Sequence, residues 1–294
     1  MGTSLSYRSL NNEQKTVLRT KTITAKKTPA EWLTFLRPIA AYDRKRDTVS
    51  RWAMRLAIAG GILTFFSLIF FGASGMTVGG QPLFFGALGL IFGTFLYKRL
   101  KKLNIEADLE KLLVPLLHIL KEELHPNEKL QLQLNLHDLE QTKPVRESRP
   151  KTKTAYPLII AQLFRNQWLN GVTQLADGTA LRMQITDLVR KIERTNRNSR
   201  GKIKTKRKYK QQSRLSLALG FRSDSYTLKT VPSPPQKNGR VAVQSRDTRH
   251  WVKIRRRVKF PPRLTTTPDS IPLDQFVGSI AAAFQQVTPI RKAQ

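Results

Sequence analysis

The alternation of apolar and polar positions changes character several times along this chain, and each change predicts a different element. Residues 52–73, "WAMRLAIAGGILTFFSLIFFGA", are apolar except for Arg55, Thr64 and Ser67, and residues 82–97, "PLFFGALGLIFGTFLY", carry no charge. At 1.5 Å rise per residue about 20 residues cross a hydrocarbon layer, a length the second run reaches by borrowing Leu100 or part of the preceding loop. The pattern predicts a transmembrane hairpin over 52–100, with helices at about 52–73 and 82–100. Arg55, one turn from the start, can snorkel to the headgroups. A helical hairpin buried in a soluble core is the alternative. A signal peptide would start near residue 1, whereas 51 mostly polar residues come first.

Beyond the hairpin the period is helical and then two. Residues 101–127 hold Leu109, Leu112, Leu113, Leu116, Leu117, Leu120 and Leu124 at helical spacing, a connecting amphipathic helix that Pro115 should kink or break. From Lys129, Leu130, Leu132, Leu134 and Leu136 alternate with polar residues, as in a half-buried strand. Residues 156–168 are apolar and open to a helical reading. Asp177-Gly178 is a strong hairpin signal, and Leu181, Met183 and Ile185 alternate after it. "RLSLALGF" places Leu215, Leu217, Leu219 and Phe221 on one face, and "GRVAVQSR" and "HWVKIRRRVKF" read as two strands turning near Asp247. Residues 264–294 are a linker and an amphipathic helix with Phe276, Val277, Ile280 and Phe284 on one side. Upstream, 1–27 show no clear period and read as a mobile basic segment. In 28–51, Thr28, Pro29 and Glu31 mark a capped helix start. Trp32, Phe35 and Leu36 share a side, either in the membrane interface or against the cytoplasmic domain. The fold class expected is a membrane-anchored α+β protein. Its transmembrane hairpin precedes a cytoplasmic, mostly antiparallel β domain over 128–263, flanked by amphipathic helices.

Charge sets the orientation. The chain has 294 residues, 52 Lys and Arg, 20 Asp and Glu, and a formal net charge of +32. Arg44, Lys45, Arg46 and Arg51 precede the first apolar run, and Lys98 and Arg99 follow the second. The positive-inside rule then puts both termini in the cytoplasm, in an integral membrane protein of the bacterial inner-membrane type. Gly60, Gly61, Gly86, Gly89 and Gly93 form small stripes that would let the two helices approach closely or join two copies in a homo-oligomer. No ionisable residue lies between Leu56 and Tyr97, which argues against transport.

The surplus is concentrated. Residues 190–263 hold 24 Lys and Arg against Glu193, Asp224 and Asp247, a net of +21. In "GKIKTKRKYK" an extended chain puts Lys202, Lys204, Lys206, Lys208 and Lys210 on one face over about 27 Å. Lys253, Arg255, Arg257 and Lys259 repeat the device. Native surfaces mix signs, and like charges opposite each other in a sheet repel. The pattern therefore points to an anionic partner: nucleic acid, anionic lipid headgroups or an acidic protein. Tyr209, Tyr226 and Trp251 are the candidates for base stacking. Cysteine is absent, which excludes disulfides and Cys nucleophiles. His118, His125, His137 and His250 form no ligand pattern, no phosphate-binding loop or nucleophile elbow occurs, and no cofactor or metal is expected. Asp177 and Asp187 fit a turn and a strand end. The expectation is a non-enzymatic membrane-tethered adaptor or scaffold holding an anionic partner. The alternative is an accessory subunit of a larger membrane complex, its basic strands docked on an acidic protein.

Overall fold

The structure, a computed structural model, describes residues 7–74, 80–102, 109–137, 142–148, 156–229, 239–246, 248–264 and 269–290. The helices and strands in chain order are α1 (Asn12–Thr20), β1 (Thr22–Lys27), α2 (Pro29–Ser74), α3 (Gly80–Lys102), a π-helical turn at Leu109–Leu113, α4 (Val114–Glu123), β2 (Leu130–Asn135), β3 (Arg146–Ser148), β4 (Leu158–Gln174), β5 (Ala180–Arg197), β6 (Ile203–Arg222), β7 (Tyr226–Leu228), β8 (Gly239–Arg246), β9 (Arg249–Lys259), α5 (Leu273–Phe284) and β10 (Val287–Pro289). The chain divides into two compact units, Met1–Arg19 with Arg37–Ile105, and Thr20–Leu36 with Glu106–Gln294.

Among the described residues one helix is long and apolar enough to cross a membrane. It is Pro29–Ile69 of α2, in which an 18-residue window has mean hydropathy 1.7 and is only 17% buried by the chain itself. Trp52, Phe65, Phe85 and Ile91 are among the large apolar side chains left exposed. α2 and α3 approach antiparallel through their small residues. A Cβ on Gly60 would lie 2.6 Å from the Leu90 nitrogen, and one on Gly93 would lie 2.8 Å from the Ala57 nitrogen. Gly86 faces Thr64 equally tightly, whereas a Cβ on Gly89 would find its nearest atom at 3.6 Å and one on Gly61 would meet only the Leu90 side chain. Arg44, Lys45, Arg51, Lys98 and Arg99 are exposed. Arg46 departs from the expected open flank: it is buried and bonds Asp43 at 2.5 Å, because a buried guanidinium requires a counter-charge.

The second unit is an α+β fold built on an antiparallel sheet. Its strand order is β1-β2-β4-β5-β6-β9-β8, with β3 beside β4, and β7 and β10 form a small separate pair. Alternation dictates the layers. Leu130, Leu132 and Leu134, then Leu181, Met183 and Ile185, then Leu215, Leu217, Leu219 and Phe221, then Val252 and Ile254 are all buried on one face. Phe276 of α5 is buried as well, and Phe284 meets the Phe221 ring edge-on at 5.0 Å. A register shift between Gln167 and Leu169 leaves Trp168 as the extra residue of a bulge. Consecutive Trp168 and Leu169 are thereby both buried. The Asp177-Gly178 hairpin forms as expected, with Gly178 at φ +82° and Asp177 accepting from the Thr179 N–H at 2.8 Å.

Three expectations are corrected. The segment read as mobile contributes α1 and β1, and β1 pairs along its length with β2. Trp32 does not lie at a headgroup layer: it is fully buried, and its indole N–H donates to the Leu130 carbonyl at 2.9 Å. The capping box does form, Thr28 N–H donating to Glu31 Oε2 at 2.7 Å and Glu31 N–H to Thr28 Oγ1 at 3.3 Å. Residues 158–174 are strand rather than helix. The helical run is interrupted at Pro115, as expected: the π turn ends at Leu113, and Pro115 stands in the first turn of α4, where a missing N–H is tolerated. The turn near Asp247 and most of the glycine-rich connector of the hairpin lie outside the described residues.

Candidate functional site

Directly opposed residues of an antiparallel pair point to the same side of the sheet, so register assigns every strand position to a face. The leucines of β6 are odd-numbered and buried; its even positions form the outer face. Lys204, Lys206, Lys208 and Lys210 are therefore outward, opposite Asn196, Arg194, Ile192 and Arg190 of β5. Lys202 precedes the strand, in a turn where its N–H donates to Asn198 Oδ1 at 2.8 Å. Lys253, Arg255, Arg257 and Lys259 oppose Ala218, Ser216, Arg214 and Gln212, and so share that outer face. The two basic rows lie in succession along β6 instead of side by side. β9 begins to pair only at Gln212, after the last lysine of the first row.

The register brings further cations to the same face that the sequence reading did not single out. Arg214 opposes Arg257 of the second row, Arg190 and Arg194 line β5, and Arg240 of β8 opposes Arg255. Arg182 of β5 and, before the bulge, Arg165 of β4 share the face, as do Arg222, Arg246 and Arg249. Arg214 was within reach of parity alone, since it is in phase with Lys204–Lys210. Arg165 was hidden by the helical reading of its segment.

No Asp or Glu occupies an outer-face position of the described strands. The acidic residues of the sheet point the other way. Glu193 sits on the inner side, bonded to Lys191 at 3.2 Å and Arg207 at 3.0 Å. Asp187, expected at a strand end, is in mid-strand, buried, and accepts from the Ser213 hydroxyl. Arg190 opposes Lys210, Arg194 opposes Lys206, Arg214 opposes Arg257, and Arg255 opposes Arg240. Like charges placed so each cost a few tenths to about 1 kcal/mol unless an anion intervenes.

The three aromatics proposed for stacking are already engaged. Tyr209 is buried in a cluster with Phe164 and Val189. Tyr226 packs edge-on against Phe221 at 5.2 Å, and its hydroxyl donates to Asp177 at 2.7 Å. Burial, then the hydrogen bond to Asp177, pushes its pKa up to about 12. Trp251 is on the outer face, but it lies 3.0 Å from where a Gly220 Cβ would be, with the Arg182 guanidinium 4.9 Å from its ring centre. Gly220 leaves room for the indole to lie flat on the sheet. The face thus offers charge without an open stacking platform. Among the described residues no group of three His, Asp or Glu could hold a metal.

Fold and face together define a class: an antiparallel α+β domain with one apolar face under α5 and one face whose charged residues, on the described strands, are all cationic. Comparison of the chain with protein-family models, with curated proteins and with solved structures finds no match.

Proposed function

We propose that this chain is a non-enzymatic membrane adaptor whose outer sheet face captures nucleic acid through its phosphates, without reading bases. One observation carries the reading: an outer face with Lys204, Lys206, Lys208, Lys210 and Arg214 along β6, and no carboxylate at an outer-face position of any described strand. A 20-residue strand extends about 65 Å, which suits a linear polyanion better than a compact protein knob. Lys and Arg that neutralise phosphates release counterions, so such binding is salt-dependent and sequence-independent. The engagement of Tyr209, Tyr226 and Trp251 supports phosphate contact over base stacking.

The anchor in this reading is a two-helix transmembrane hairpin formed by α2 and α3, with both termini cytoplasmic. Their antiparallel glycine contact and their exposed Phe and Ile side chains support it, as does a flank of exposed Arg44, Lys45, Arg51, Lys98 and Arg99.

The test is duplex DNA binding by the full chain in zwitterionic nanodiscs, titrated with salt. Changing Lys204, Lys206 and Lys208 to Gln should lower affinity equally for unrelated sequences. The slope of log K against log salt should shrink by about 0.9 for each phosphate contact removed. Unchanged affinity and slope in that variant overturn the reading. So does capture of phosphatidylglycerol vesicles by a chain that leaves duplex DNA unbound.

A further inference from the structure

We infer that the sheet also carries a discrete site for a compact polyphosphate anion, distinct from the lysine row and not dependent on polymer capture. Where β4, β5, β6, β9 and β8 lie side by side, a basin of about 800 Å³ lies against the sheet. That volume is within the ~300–1,000 Å³ range of small-molecule sites. Six outer-face cations line it, Arg165, Arg214, Arg240, Arg255, Arg257 and Lys259, and no carboxylate does. Arg256 and Gln275 reach it from the inner side, where the Arg256 guanidinium donates to the Gln275 carbonyl.

The register makes this a grid. One cross-strand row runs Thr186, Arg214, Arg257, and the row on one side runs Gln184, Ser216, Arg255, Arg240. On the other side Lys259 lies opposite Gln212 and Leu188, with Arg165 beyond. Rows are about 6.6 Å apart along the strands, and neighbouring strands about 4.8 Å apart. Two arginine pairs are therefore directly opposed in adjacent rows. Among the described residues none of the six cationic side chains is seen in an ion pair. Their mutual repulsion is relieved by an anion between them, and guanidinium forks suit phosphoryl oxygens. Thr186 and Ser216 add neutral hydroxyl donors beside them.

The cradle is also rigid. Its arginines alternate with Leu215, Leu217 and Ile254, each no more than 3% exposed, so the strands that present them are fixed from beneath. Pre-organisation lowers the cost of binding. No aromatic residue lines the basin, which therefore recognises clustered phosphoryl groups and not the group attached to them. Inorganic tripolyphosphate, ATP and GTP should bind alike.

Calorimetry of the full chain in zwitterionic nanodiscs with tripolyphosphate tests this. One saturable site per chain is expected. Arg214→Gln and Arg257→Gln should each weaken it about tenfold or more, the loss of a charge-assisted bond. The Lys204, Lys206 and Lys208 to Gln variant should change Kd by less than about twofold. Lys208 is about 20 Å along the strand from Arg214, roughly two Debye lengths at 0.1 M salt. Non-saturating uptake, or equal weakening by both variants, overturns the site. Loss of DNA binding with tripolyphosphate binding intact would fall on the lysine row alone. Competition by vesicles containing phosphatidylinositol bisphosphate would assign the phosphates to a lipid head, and absence of competition to a soluble ligand; either keeps the site.

Discussion

The two faces of the second unit's sheet are built from the same strands, residue by residue in alternation, yet different physics specifies each. On the inner face Leu215, Leu217, Leu219 and Phe221 are all at or below 1% exposure, so their identity is set by volume and fit. On the outer face Arg214, Arg255 and Arg257 are exposed and opposed by like charge, which contributes nothing to folding. Such a surface costs stability across five strands, and that cost is what motivates the proposed anion capture.

That difference can be broken at two positions of one strand, β6. Phe221→Ala empties a fully buried site against Phe284 and Tyr226 and should cost about 3–5 kcal/mol. Such a loss is a large share of the ~5–15 kcal/mol that holds a typical domain. Arg214→Gln should leave stability unchanged or raise it by up to about 1 kcal/mol, since it removes a repulsion with Arg257. Urea midpoints of the two variants, measured on the same day in the same detergent, decide the matter. A destabilised Arg214→Gln chain would mean that the outer face is structural after all.

Shape also specifies the contact between α2 and α3, in the other unit, and there the glycines themselves form an internal comparison. Gly60→Ala and Gly93→Ala push a methyl to within 3 Å of backbone atoms of the facing helix, an overpacking expected to cost about 1–3 kcal/mol. Gly89→Ala has 3.6 Å of space and should be tolerated. The checking measurement is crosslinking between cysteines placed at Gly61 and Leu90, where a Gly61 Cβ would meet only the Leu90 side chain, in chains that carry each alanine variant in turn. Equal tolerance at Gly60 and Gly89 would refute a close helix contact.

Much of this contrast was legible in the sequence because it depends on period. The two-residue alternation in "LQLQLNL" and "RLSLALGF", the Asp177-Gly178 turn and the amphipathic stripe of α5 each state locally which side is apolar. What period cannot state is who pairs with whom. The lysine row and the Lys253–Lys259 row share a face, as parity implied. That they follow one another along β6, with Arg214 beside Arg257 of the second row, depends on register between strands 40 residues apart. β1 was missed because "TITAKK" offers one large apolar residue, Ile23, and its strand state comes from pairing with β2. The run "PLIIAQLF" was ambiguous because an apolar segment of that length fits helix or strand until its neighbours are known. Trp32 was undecidable alone: an indole wants an apolar bed and an acceptor, and a headgroup layer and the Leu130 carbonyl both supply them.

The smallest expected effect tests how the inner face closes at its end. There Tyr226 rests on Phe221 and donates to Asp177 of the β4–β5 turn, so a polar bond seals an apolar layer. Its pKa of about 12 lies above the ordinary tyrosine value of 10, because burial and the carboxylate both disfavour the phenolate. A proton held more tightly in the folded state stabilises that state as long as both states keep it. The contribution is therefore fully present below about pH 10 and is lost as pH rises through about 12. Tyr226→Phe keeps the ring on Phe221 and removes the ionisable group. Its urea midpoint should fall less steeply between pH 10 and 12 than that of the unmodified chain. The difference between the two curves isolates this tyrosine from the other five. Parallel curves would mean that Asp177 does not hold the Tyr226 proton, and that the inner face ends at the Phe221 ring without a polar seal.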